Sequence, residues 1–184
     1  MKTRHRRSKV RERITLTVRS RPGNPQQGLT ICGYAAHPCA LGSAGICVRK
    51  VEGDGATPAG QWKLLHVLYR ADRVSRPVTG LPVCAIAQSD GWCDEPSDRN
   101  YNSPVKLPYP QSAENMWRED SIYDIVVVLD HNICPTVRGR GSAVFLHLAR
   151  KGYTPTEGCI AFSERDLRVL LETCGPGATI SILP

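Results

Sequence analysis

The 184-residue sequence predicts a mainly β domain with one packed helix near its C-terminus. Three observations predict it. In "ITLTVRS" (14–20) Ile14, Leu16 and Val18 share one face while Thr15, Thr17 and Arg19 share the other, the period-two alternation of a half-buried strand. "IYDIVVVLD" (122–130), "SAVFLHLA" (142–149) and "ATISIL" (178–183) are rich in the β-branched and aliphatic residues that suit a sheet interior. Only "SERDLRVLLETC" (163–174) carries a helical pattern: Ser163 caps the first turn with Asp166 three residues on, and Leu167, Leu170 and Leu171 fall on one face.

Between these segments, "ICVRKV" (46–51) and "QWKLLHVLYR" (61–70) read as extended, joined by "EGDGATPAG", where Asp54 and its flanking glycines mark a turn. Residues 71–113 hold many Pro, Asp, Ser and Asn and predict a long loop or hairpin system, and Gly175 and Pro176 end the helix. Trp62, Trp92 and Trp117 read as core or loop anchors, and His66 and His131 as structural histidines.

The formal charge of +7 does not describe a basic face. Residues 1–13 contain seven Lys or Arg and one Glu, a local +6, which leaves +1 for the rest. This divides the chain into a basic, flexible tail (1–13) and one domain (14–184), with no nucleic-acid surface expected. The tail lacks the apolar stretch an export leader needs behind its charges, and "IVVVL" falls far short of a membrane span. The eight cysteines include no CxxC pair, and only His131 with Cys134 approaches ligand spacing, so neither a metal site nor a cofactor is expected.

Among the cysteines, Cys159 stands twelve residues after His147 and directly after Gly158. A thiol attacks carbonyls well only when a base or a positive field favours the thiolate. His147 is the base within reach if "RKGYTPTEG" doubles the chain back, which Gly152, Pro155 and Gly158 permit. Gly158 also lets a substrate approach backbone N–H groups that stabilise an oxyanion. From the residues alone, a small buried structural cysteine beside a strand histidine is the favoured reading.

"HLARKGYTPTEGCIAF" (147–162) resembles the signature of the YkuD family, the L,D-transpeptidase catalytic domain, in which a histidine precedes a Ser/Thr-x-Gly-Cys-Ile/Val element. "KVEGDGATPAGQW" (50–62), "DGWCDEPSDRNYNSPV" (90–105), "MWREDSIYDIVVVLDHN" (116–132) and "GRGSAVFLH" (139–147) extend the similarity from about Ile14 to the C-terminus. The resemblance implies a YkuD-like β-sandwich with Cys159 as nucleophile and His147 as general base and then acid. It further implies that the Leu148 carbonyl orients the imidazole, that Thr156 occupies the Ser/Thr position, and that the Gly158 and Cys159 amides form the oxyanion site. Two positions depart: many members carry His where this chain has Glu157, and Arg where it has Ala161. Both changes remove positive charge, so Arg140 and Arg150 become the candidates for binding substrate carboxylate, with Tyr153 as a candidate pocket wall.

The reaction implied is acyl transfer from a peptidoglycan tetrapeptide stem, through a thioester, to an amine acceptor. Hydrolysis at the same Cys/His site, as a carboxypeptidase or other peptidoglycan hydrolase, is the first alternative, and a non-catalytic stem-binding module the second. Peptidoglycan stem peptides are the expected partner. That substrate implies the periplasm or cell envelope, with cytosolic action on precursors or recycled stems as the other option.

Overall fold

The computed structural model describes residues 14–184; the basic segment 1–13 lies outside the described residues. Fourteen strands run in order: β1 (Thr15–Arg21), β2 (Asn24–Cys32), β3 (Ala35–Ala40), β4 (Ile46–Cys47), β5 (Thr57–Pro58), β6 (Gly60–Tyr69), β7 (Val83–Ala85), β8 (Asp90–Cys93), β9 (Ser103–Lys106), β10 (Ala113–Asn115), β11 (Ile125–Leu129), β12 (Phe145–Leu148), β13 (Ile160–Phe162) and β14 (Thr179–Leu183). The helix α1 (Glu164–Thr173) lies between the last two. The β-rich class with one C-terminal helix is therefore as expected. None of the helices among the described residues is long and apolar enough to cross a membrane.

The main sheet has the order β11-β12-β13-β3-β2-β1-β14-β6-β7, and β11 pairs again with β6, so the sheet closes on itself. Alternation along β11 and β12 then sorts side chains to its two faces. Ile125, Val127, Leu129, Leu146 and Leu148 join the interior core with Leu16, Val18, Ile180 and Ile182. Val126, Val128 and Phe145 face outward into a second core with Trp92, Met116 and Tyr123. A small sheet of order β10-β8-β9 carries Trp92, and Trp92 meets Phe145 edge-on at 5.1 Å. This double coverage is why "IVVVL" reads as continuously apolar: all five residues are buried, on alternating sides.

Leu167, Leu170 and Leu171 of α1 pack into the interior core, each burial contributing about 1.5–3 kcal/mol. Ser163 Oγ accepts the Asp166 N–H at 3.1 Å and its hydroxyl donates to Asp166 Oδ2 at 2.6 Å, so the predicted cap is present. The same carboxylate meets His37 Nδ1 at 2.9 Å, tying the helix start to β3. Ser163→Ala should cost about 1 kcal/mol of stability, read as a lower urea midpoint at unchanged slope.

The segments 46–51, 122–130 and 142–149 form shorter strands than the sequence patterns suggest, whereas β6 matches the expected 61–70 segment to within a residue. After Cys47 the chain turns, because Asp54 accepts the N–H groups of Val51 and Ala56 at 2.8 Å each and pairs with Lys50. Residues 121–123 form a 3₁₀ turn before β11. Ala143 takes a φ of +49°, which delays β12 to Phe145. Sequence patterning missed β2 and β3, which contain Pro25, Gly28 and Pro38. β3 pairs with β13 only at Cys39 and Ala40, so on that side Pro38 interrupts no ladder.

Candidate active site

His147 projects from β12 on the outward face, as period two requires between the inward Leu146 and Leu148. Its Nδ1 lies 2.9 Å from the Leu148 carbonyl oxygen. A carbonyl only accepts, so Nδ1 carries the hydrogen and Nε2 keeps a lone pair. The Tyr123 ring stands edge-on to the imidazole at 5.4 Å. Burial lowers the His147 pKa to about 4, helped by the charges of Arg150 and Arg118 and opposed by the Leu148 bond. The ring is therefore neutral at neutral pH.

That depression has a stability consequence of fixed sign. Between pH 6.5 and 4 the unfolded chain takes up a proton that the folded chain refuses, so the contribution is full above 6.5 and is lost as pH falls through about 4. The lowering corresponds to about 3 kcal/mol. His147→Gln should flatten the acid limb of the stability curve by about that amount relative to the parent. Urea denaturation at several pH values from 7 to 4 checks this. The comparison isolates His147 from His66 and His131, which burial also shifts downward.

Cys159 reaches the same face by a parallel return. β13 runs alongside β12 in the register Leu146↔Ile160 and His147↔Ala161, and Cys159 precedes it, facing the second core. The Phe145 N–H donates to Sγ at 3.3 Å, and the S–H donates to the Ala143 carbonyl at 3.2 Å. Burial pushes the thiol pKa up to about 12; the Glu114 charge adds to this, while the Phe145 N–H and Lys50 oppose it. The resting pair is thus a neutral thiol and a neutral imidazole, not a thiolate–imidazolium pair.

The loop before Cys159 is clamped from within. Thr156 Oγ1 donates to the Cys159 carbonyl at 2.7 Å and accepts the Gly158 N–H at 3.2 Å. The Gly158 amide, expected to form half of the oxyanion site, is thereby engaged by Thr156. Thr156 itself is anchored to Leu41 and Ser43 by backbone bonds of 2.9 and 2.8 Å. Gly158 has a φ of +131°, and a Cβ there would lie 2.7 Å from the Ala56 carbonyl oxygen and 3.4 Å from Lys50 Nζ.

Cys159, His147, Thr156, Gly158 and Arg150 all line one cavity of about 510 Å³. Arg140 and Tyr153 do not line it. Arg140 is exposed, with its backbone carbonyl facing His131 Nε2 at 3.1 Å, and Tyr153 is half-buried in the loop, its N–H bonded to the Arg150 carbonyl at 3.0 Å. Arg118, which sequence proximity did not single out, lines the cavity instead. It grips Asp120 through two bonds of 2.7 and 3.0 Å, and Arg150 reaches the same carboxylate at 3.2 Å. Arg118 also approaches Glu114 at 3.7 Å, so the two guanidinium groups face two carboxylates. Glu114 lies alongside, accepting from Tyr123 Oη–H at 2.7 Å, its pKa raised by burial. Glu52, Asp94 and Glu157 also line the cavity. Arg118, Glu114 and Tyr123 all fall within or next to "MWREDSIYD", but no spacing rule ties that segment to residue 147.

No curated protein and no solved structure matches the chain. The family model YkuD, described as the L,D-transpeptidase catalytic domain, matches residues 28–182. That span contains the second core and every residue that lines the cavity, and the chain belongs to the YkuD family of L,D-transpeptidase catalytic domains.

Proposed function

We propose that the chain is a cysteine-dependent peptidoglycan L,D-transpeptidase. The observation that carries the reading is a histidine whose Nδ1–H is fixed on the Leu148 carbonyl, lining one cavity with Cys159, the only cysteine among the described residues that does so. Cys159 and His147 act as nucleophile and base. The thiol proton passes to His147 Nε2 as Sγ attacks the carbonyl of a meso-diaminopimelate in a tetrapeptide stem. The tetrahedral oxyanion accepts the Cys159 N–H, since Thr156 already holds that of Gly158. Collapse breaks the bond to the terminal D-alanine, whose nitrogen takes the proton from His147, and a thioester remains. An acceptor amine then attacks the thioester, His147 removes its proton and returns it to the departing Sγ, and a new amide forms.

Arg118 and Arg150 are the groups suited to the substrate carboxylate, because both line the cavity and each keeps guanidinium N–H donors that Asp120 does not use. The carboxylates of Glu52, Asp94 and Glu157 favour the approach of an amine in its ammonium form, which gives one proton to solvent before its nitrogen attacks and the second to His147. This favours transfer over hydrolysis. With such a substrate the place of action is the periplasm or cell envelope.

The test is mass spectrometry of the protein incubated with a diaminopimelate-containing disaccharide-tetrapeptide. Loss of D-alanine with a cross-linked product supports the transferase. Released tripeptide alone replaces it with the hydrolase, and binding without turnover replaces it with a stem-binding module.

A further inference from the structure

We infer that Lys50 is a positioning residue for this reaction, holding its ammonium beneath the Gly158–Cys159 loop so that negative charge forming at Cys159 meets a fixed positive charge from below. The inference rests on the proposed Cys159 chemistry and adds a residue to it. Lys50 is only 7% exposed, a rare state for a lysine. Its stem passes Gly141, where an added Cβ would come within 2.8 Å of Cγ and 3.0 Å of Cε, and its Nζ ends 3.4 Å from where a Cβ would stand on Gly158. The two glycines leave room for the lysine on both sides.

The partner of the buried ammonium is Asp54. Asp54 already closes its own turn through the Val51 and Ala56 N–H groups. The turn therefore has its backbone bonds without the lysine. A buried ion pair is weak evidence for stability, because desolvating two charges offsets their attraction. What the lysine adds is direction: its charge favours the Cys159 thiolate, opposing burial and Glu114. Two further titratable side chains stand by this pair: His131, close to Gly141 and with its pKa lowered by burial, and Cys47, 3.8 Å from Asp54 Oδ2 and with its thiol pKa raised by burial. Positions 157 and 161 carry no positive charge, and Ala161 is fully buried opposite His147, so neither position supplies a cation to the loop.

The test replaces the pair by neutral partners of similar shape, Lys50→Gln with Asp54→Asn, so that no lone charge is left buried, and compares it with Lys50→Arg; the amide keeps one of the two acceptors that close the turn, and the loss of the other is read in the Tm. Three quantities are read on the full chain: thermal unfolding, alkylation of Cys159 by iodoacetamide located by peptide mass spectrometry across pH 7–10, and kcat and KM for D-alanine release. The neutral pair should stay folded, with alkylation at pH 8 slowed about tenfold, kcat lowered by roughly the same factor or more and KM little changed. Lys50→Arg should recover most of both rates. A folded neutral pair with parental alkylation and kcat overturns the inference, as does an equal loss in Lys50→Arg that tracks a lower Tm. Alkylation needs no substrate, so it reads the field of Lys50 even if the tetrapeptide is not turned over.

Discussion

Cys159→Ala should remain folded and lose D-alanine release and every thioester adduct, with turnover falling by roughly 10³-fold or more. The side chain makes only two polar contacts, with the Phe145 N–H and the Ala143 carbonyl, so its removal leaves the second core nearly intact. His147→Gln should be almost as severe, for a reason that sets its pH dependence. A thiol with a pKa of about 12 is ionised in only about one molecule in 10⁴ at pH 8. Without a base that takes the proton during attack, the reaction is limited to that fraction. The His147→Gln rate should therefore rise about tenfold per pH unit from pH 7 to 10. The parent should be flat over that range and fall only on the acid side as His147 protonates, near its pKa of about 4. A pH–rate profile of the two proteins decides it. A parent profile that climbs with the variant's slope would show that His147 is not the base.

That His147 and Cys159 line one cavity was legible in the sequence because their placement is local. A strand, a short glycine- and proline-containing loop and a parallel return place His147 and Cys159 on one face, and all of that lies within 147–162. Ser163 and the leucines of α1 were legible for the same reason, since a cap and a helical stripe are short-range patterns. The rest of the site depends on contacts across the chain. Arg118 and Glu114 reach the cavity only because the small sheet and the 3₁₀ turn fold over the outer face of β11 and β12. Arg140, seven residues before His147, instead points to solvent. Lys50 reaches Gly158 through a turn more than a hundred residues earlier. The engagement of the Gly158 amide by Thr156 is likewise a matter of hydroxyl direction, which no residue pattern encodes.

Gly158→Ala is the substitution with the next largest expected effect, and a second glycine in the same loop separates its two causes. Gly158 has a φ of +131°, a conformation that side chains disfavour, and an alanine Cβ would come within 2.7 Å of the Ala56 carbonyl oxygen, a backbone atom with no rotamer to yield. Gly152 has a φ of +79° but nothing within 4 Å of its added Cβ. Gly152→Ala should therefore cost only backbone strain, about 1 kcal/mol, and leave kcat near parental. Gly158→Ala carries the strain, about 1–3 kcal/mol, and must also move either the 156–159 loop or the turn at Ala56. Moving the loop carries Thr156, the Cys159 amide and Sγ away from His147 together, and a displacement near 1 Å costs about 10²-fold in rate. Denaturation midpoints and thioester formation, measured on both variants, separate the strain they share from the displacement peculiar to Gly158. Parental thioester formation in folded Gly158→Ala would mean that the backbone here tolerates a Cβ and that the close approach to Ala56 is not what aims the nucleophile.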